Sequence, residues 1–147
     1  MGRMIALDVG DVRIGVAVTD PTGTIAQPLE VYRRVGYGPD CRYVQELCRR
    51  FDTVTVLLGL PLNMDGTRGG QAEKAQAFGK VLSDAGLDVR YQDERMTTVT
   101  AERVLISGSV RRENRKQYVD KLAAAVILEQ WLASQSGAAE RGMTYGE

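Results

Sequence analysis

Three acidic positions in this chain have the setting that carboxylate chemistry needs. Asp8 closes the apolar run Ile5-Ala6-Leu7 and is followed by Gly10. A carboxylate among apolar neighbours carries a large desolvation cost unless a cation or a hydrogen-bond donor stands close, although an Asp at a hairpin can equally cap the turn through its own backbone. Asp93-Glu94-Arg95 follows the short strand-like segment 87–92; alone, such a triplet is also what a polar linker into a helix looks like. Asp120 precedes the apolar stretch 122–128, and its periodicity alone fits a solvent-facing residue or a pair with Lys116 or Lys121. Taken together, two strand ends in one sheet and a helix packed on that sheet gather three carboxylates, a donor set suited to hard divalent cations. Two such ions about 3.5–4 Å apart stabilise the attacking and leaving oxygens of a phosphoryl displacement, and a cation acidifies its water without help from an imidazole.

The last point matters because the 147 residues include no histidine. Ser-His-Asp and Cys-His nucleophile systems, HExxH zinc sites and ordinary zinc fingers are thereby excluded. Acid-base or metal chemistry must rest mainly on carboxylates.

Nineteen Lys+Arg balance nineteen Asp+Glu, so net charge says nothing about nucleic acid or membrane. Its distribution says more. Residues 103–121 hold Arg103, Arg111, Arg112, Arg115, Lys116 and Lys121 against Glu113 and Asp120. The segment Arg111-Arg112-Glu113-Asn114-Arg115-Lys116 leads into the helix expected to carry Asp120, where it would steer a phosphate backbone toward the carboxylates; a solvated loop is the plainer alternative. Arginine outnumbers lysine 15 to 4, a skew that suits bidentate phosphate recognition and that genome composition explains equally well.

Cys41 and Cys48 lie about two helical turns apart on one face, too far for a disulfide, and read as buried or partly buried free thiols. The opening MGRMIALDVG has no leader pattern, and no stretch approaches the roughly 20 apolar residues of a membrane span. A cytoplasmic protein without membrane contact is expected.

The elements that must position these residues follow from periodicity. Segments 4–9 and 12–19 read as a hairpin about Gly10-Asp11, with Val12, Ile14, Val16 and Val18 alternating against Arg13, Gly15, Ala17 and Thr19. After the turn Asp20-Pro21-Thr22-Gly23, residues 24–32 return as a third strand, in which Pro28 favours a bulge or an edge. A loop over 33–39 leads to an amphipathic helix over 40–51, with Asp40 as its expected N-cap. Segment 53–60 is a β-branched, nearly continuous apolar run, as expected of a strand buried on both faces. It ends at Gly59-Leu60-Pro61-Leu62-Asn63, either a nucleic-acid contact at a sheet edge or a rigid turn. A helix over 71–85 stopped by Gly86, a strand over 87–92, a helix over 97–107 capped by Thr97 or Thr98, and a final helix over about 115–134 complete the order. One domain, 1–134, with a flexible tail, 135–147, is expected. Its fold is α/β: a mixed five-stranded sheet, antiparallel in its first three strands and parallel later, with helices on both faces.

The same residues carry a resemblance. Asp8-Val9-Gly10-Asp11-Val12-Arg13-Ile14-Gly15-Val16-Ala17 resembles the DxGxxRxGxA opening of the YqgF family, also called RuvX, described as pre-16S rRNA nucleases or Holliday junction resolvases. It continues through Gly59-Leu60-Pro61 with Asn63, Gly66 and Gly69, then Asp93-Glu94-Arg95 with Thr98, then Asp120-Lys121-Leu122-Ala123-Ala124-Ala125. These motifs run in order over residues 4–132. The resemblance implies an RNase H-like fold and a nuclease using Mg2+ or Mn2+, with Asp8, Glu94 and Asp120 as the catalytic, metal-binding carboxylates. Arg13 and Arg95 resemble the family's arginines and are expected to bind phosphate or orient the carboxylates.

The expected activity is phosphodiester hydrolysis in processing the 5′ end of pre-16S rRNA, with pre-rRNA as partner. Resolution of branched DNA is the alternative; a resolvase would act as a symmetric homodimer, whereas trimming an RNA end needs only a monomer. The DxGxxxxG hairpin also resembles the phosphate-binding start of the actin, Hsp70 and sugar-kinase superfamily, which leaves an ATP-binding module as a further alternative. A non-catalytic RNA-binding module is another.

Overall fold

The computed structural model of the protein describes residues 3–60, 69–93 and 122–135. In chain order the elements are β1 (Ile5–Val9), β2 (Arg13–Thr19), β3 (Ala26–Arg33), α1 (Tyr37–Arg50), β4 (Thr55–Leu60), α2 (Gly70–Asp84) and β5 (Asp88–Asp93). Residues 122–135 are helical as well. The helix expected over 97–107 and the segment 136–147 lie outside the described residues.

The five strands form one sheet in the order β3-β2-β1-β4-β5. β1 and β2 pair antiparallel through a tight turn, as do β2 and β3, whereas β4 lies parallel to β1 and β5 parallel to β4. Local links make the first pairings possible, while a parallel neighbour needs a crossover, which α1 and α2 supply. The mixed sheet expected from the sequence is therefore present. β3 is an edge strand, and the β2–β3 register shifts between Val16 and Ala17, next to Pro28. Proline lacks an N–H for the ladder, so edge and bulge are where a strand tolerates it.

Alternation along each strand divides the core in two. Ile5, Leu7, Val9, Ile14, Val16, Val18, Val56 and Leu58 pack with Cys41, Val44, Leu47 and Cys48 of α1 and with Phe78 and Leu82 of α2. Ala6, Ala17 and Leu57 face the other way, onto Ala124, Ala125, Ile127 and Leu128. The first side takes large side chains and two helices; the second mixes alanines with Leu57, Ile127 and Leu128 beneath the helix 122–135. Each fully buried aliphatic or aromatic side chain contributes about 1.5–3 kcal/mol of transfer free energy. Both cysteines are free and buried, and burial pushes the thiol of Cys48 up to about 11.

Two expectations need correction. The first helix begins at Tyr37, with Gly36 at its N-cap position, so Asp40 lies inside the first turn. Pro39 precedes it, in the turn where a missing N–H costs nothing. The carboxylate of Asp40 turns back to accept from the N–H groups of Val35 and Gly36, and this reach, together with its pairing to Arg34, makes Asp40 a cap from within. Second, Asp93 belongs to β5, where it pairs with Leu60, and the chain leaves the sheet only after it. The helix ends do follow the local chemistry: Gly86 adopts φ 96 at the end of α2, and Arg49 and Arg50 complement the dipole in the last turn of α1. Among the described residues no helix is long and apolar enough to cross a membrane.

Candidate active site

β1 is the central strand of the sheet, and Asp8 is its penultimate residue. Residues two apart on a strand share a face, so Asp8 lies on the side of Ala6, toward the helix 122–135. Its side is half-buried. Across the β1–β2 ladder Asp8 pairs with Gly15. On the parallel side the register Leu7↔Leu58, continued by one residue, brings Gly59 alongside. The carboxylate thus stands between two strands that contribute no side chain at its level.

The C-terminal ends of β1, β4 and β5 share one edge of the sheet, where Gly59 pairs with Gln92 and Leu60 with Asp93. Open α/β sheets bind ligands at such an edge. On β5, Tyr91 turns toward Gly79 of α2, while Arg90 crosses over the ring of Trp131 at 6.0 Å. Arg90 and Gln92 therefore face the same side as Asp8.

Arg13 opens β2, half-buried and paired with Arg33 of β3. It shares a face with Gly15, so the structure brings Arg13 and Asp8 to one side of the same sheet. Glu94, Arg95, Arg111, Arg112, Arg115, Lys116 and Asp120 lie outside the described residues. Glu94 follows Asp93 directly in the chain, and Asp120 stands two residues before Leu122. Among the described residues no group of three or more metal-ligating side chains occurs. Asp8 fits one ligand of a hard cation by its chemistry, its strand-end position and the glycines beside it.

The turn after Asp8 is fastened in ways the sequence did not announce. The N–H of Gly10 donates to the carbonyl of Arg13 at 2.8 Å, and a Cβ on Gly10 would stand only 3.0 Å from that oxygen, close enough that the turn would have to give by a few tenths of an ångström. Arg34 donates from Nη1 to the carbonyl of Gly10 at 2.9 Å and from Nε to Oδ2 of Asp40 at 3.0 Å. Asp40 is fully buried. Burial alone raises its carboxyl, yet donors from Val35, Arg34, Tyr32 and Gly36 outweigh that and hold it below the usual carboxylate range. On the exposed flank, Asp11 accepts from Lys74 at 2.7 Å and from Gln71 at 3.1 Å, the hydrogen bond from Lys74 doing most to lower its carboxyl. Arg34 lies 24 positions from Gly10 in a segment that reads as loop, so no periodicity marks it.

Comparison with known proteins places this geometry. Residues 2–134 match the family model RuvX, described as Holliday junction resolvase. A protein of Desulforamulus reducens, provisionally named a pre-16S rRNA nuclease, is 45% identical over 133 residues, covering 90% of this chain and 97% of its own. One of Syntrophomonas wolfei with the same name is 43% identical over 131 residues, covering 88% and 93%. Among solved structures, Thermus thermophilus RuvC in complex with a Holliday junction superposes with a TM-score of 0.57 at 18% identity, covering 93% of this chain and 97% of that one. The fowlpox virus Holliday junction resolvase gives 0.55 at 13% identity, covering 90% and 99%. These likenesses identify the fold as the RNase H-like one. With the family matched over nearly all of its length, and relatives above 40% identity along most of theirs, the chain belongs to the RuvX family.

Proposed function

We propose that this protein is a divalent-metal-dependent nuclease that hydrolyses phosphodiester bonds of pre-16S rRNA at its 5′ end. Family membership supports the hydrolytic nuclease, and the names of its relatives supply the substrate. The observation that carries the reading to particular atoms is the place of Asp8: at the C-terminal end of the central strand, on the side of the helix 122–135, with glycine on the neighbouring strand. Glu94 is one residue beyond β5, whose residues Arg90 and Gln92 already face that side, and strand alternation carried one step further favours Glu94 there too. Asp120 stands two residues before Leu122, where the helical segment packed on the same side begins. The three carboxylates would hold Mg2+ or Mn2+, for which hard oxygen donors in a chain without histidine are apt. When bound, the cation supplies charge stabilisation of the displaced phosphate oxygens and acidifies the attacking water. Arg13 and Arg95 serve to bind phosphate or orient the carboxylates, and Arg111, Arg112, Arg115 and Lys116 guide the backbone of the strand inward.

Asp8→Asn tests the reading, since it removes a ligand charge with little change of shape. Cleavage of a pre-rRNA fragment in Mg2+ or Mn2+ should fall by roughly two orders of magnitude or more, on the scale of losing one preorganised electrostatic group, while circular dichroism stays native. Full metal-dependent activity in that variant refutes the assignment. A four-way DNA junction assayed in parallel addresses the second reading, favoured by the description of the family model: preferential junction cleavage by a dimer would make the protein a resolvase.

A further inference from the structure

We propose that Arg34, anchored by the buried Asp40, is a positioning residue that sets the geometry of the Asp8 carboxylate through the β1–β2 turn. The inference rests on the metal-nuclease reading of Asp8 and extends it to residues outside the carboxylate set. Asp11 and Val12 of the turn are exposed, so burial does little to fix it. Hydrogen bonds do. Gly10 is tied through its N–H to Arg13 and through its carbonyl to Nη1 of Arg34, and the backbone N–H of Arg34 donates to the carbonyl of Val12 at 2.8 Å. Arg34 thus grips the turn on both sides of Asp11, at Gly10 and Val12, two and four residues beyond Asp8.

Arg34 is in turn fixed by two helices. Its Nε–H is held by Asp40 in the first turn of α1. Its guanidinium lies 5.3 Å from the ring centroid of Phe78 on α2 and 5.7 Å from that of Tyr37 on α1, close enough for cation–π attraction. Asp40 is itself immobilised by the hydroxyl of Tyr32 at 3.0 Å and the N–H of Val35 at 2.9 Å. The Gly10 carbonyl is therefore referenced to α1, α2 and the end of β3 together. A ligand carboxylate must be held to about 0.5 Å by its supporting groups; the β1 ladders to β2 and β4 fix the strand up to Asp8, and this clamp fixes the turn that follows it. Lysine cannot replace the arginine, because a single ammonium lacks the planar fork that reaches Asp40 and Gly10 at once.

The test is Mn2+ binding measured by titration calorimetry on the folded full-length chain, comparing wild type, Asp8→Asn, Arg34→Lys and Thr53→Val. Thr53 donates its hydroxyl to the carbonyl of Arg3 at 2.6 Å, at the opposite end of β4, and serves as a control that weakens the fold away from the site. Arg34→Lys should raise the Mn2+ dissociation constant about tenfold, the low end of the range for outer-shell partners of metal ligands, whereas Thr53→Val should lower only the melting temperature. If Arg34→Lys loses thermal stability but binds Mn2+ like wild type, Arg34 is merely structural and the inference is overturned while the nuclease reading stands. If wild type and Asp8→Asn bind Mn2+ alike, both fall.

Discussion

Asp8 and Gly15 face each other across the β1–β2 ladder, so the neighbour of the proposed metal ligand is a residue with no side chain. Cross-strand partners bring their Cβ atoms to about 4.5–5.5 Å, a distance at which any branched residue would share the volume above the carboxylate. Gly15 therefore carries a prediction. Gly15→Val, although favourable for a strand by propensity, should reduce cleavage by about tenfold or more in a protein that still shows native circular dichroism. Undiminished cleavage by Gly15→Val would mean that nothing needs the space beside Asp8.

The buried pair of Asp40 with Arg34 predicts a pH-dependent contribution to stability. Because the folded carboxyl is held below its ordinary value, its contribution is fully present above the unfolded value of about 3.9 and is lost as pH falls through the lower folded value. Asp40→Ala leaves Arg34, the Tyr32 hydroxyl and two backbone N–H groups without their acceptor, and should cost about 3 kcal/mol at pH 7. Urea unfolding at pH 7 and at pH 3 checks the sign: the gap between wild type and variant should narrow at the acid end.

Cys41 and Cys48 predict a silent thiol chemistry. Both are buried, and with its thiol near 11 Cys48 presents at pH 8 a thiolate fraction about two orders of magnitude below that of a free cysteine. A disulfide reagent should label neither thiol at an appreciable rate in native protein and both upon unfolding in urea. Rapid native labelling of Cys48 would contradict its burial between α1 and the sheet.

Reversal of the basic segment offers a test independent of the carboxylates. Each phosphate contact contributes about 0.7–0.9 to the slope of log affinity against log salt. Arg111→Glu with Arg112→Glu should weaken nucleic-acid binding and flatten that slope by roughly 1.5. An unchanged slope would remove the segment from the nucleic-acid interface.

Much of this molecule is legible along the chain. The period-two pattern of residues 12–19, the nearly continuous apolar run at 53–60 and the helical spacing of Cys41, Val44, Leu47 and Cys48 each report which side of an element is buried, because that is a property of the element's own repeat. Short links between β1, β2 and β3 compel antiparallel pairing, and helical crossovers compel parallel pairing beyond. The absence of histidine, the placing of Asp8 at a strand end and the ordered motifs through Asp120 directed the chemistry to carboxylates and the chain to its family.

What periodicity cannot report is what stands opposite. Gly15 beside Asp8 depends on the register of a ladder, and Arg34 on the Gly10 carbonyl joins positions 24 apart through a contact that neither local sequence requires. Asp40 illustrates the limit well: its residue type and its place before an amphipathic run make it a plausible N-cap, yet the chain enters the helix three residues earlier and folds the carboxylate inward. Arg34, Tyr32 and two backbone amides converge there, because a buried charge is tolerated only where several donors meet it. Such convergence is a property of packed elements, and it came into being only when α1 settled against the end of β3 and the turn of the hairpin.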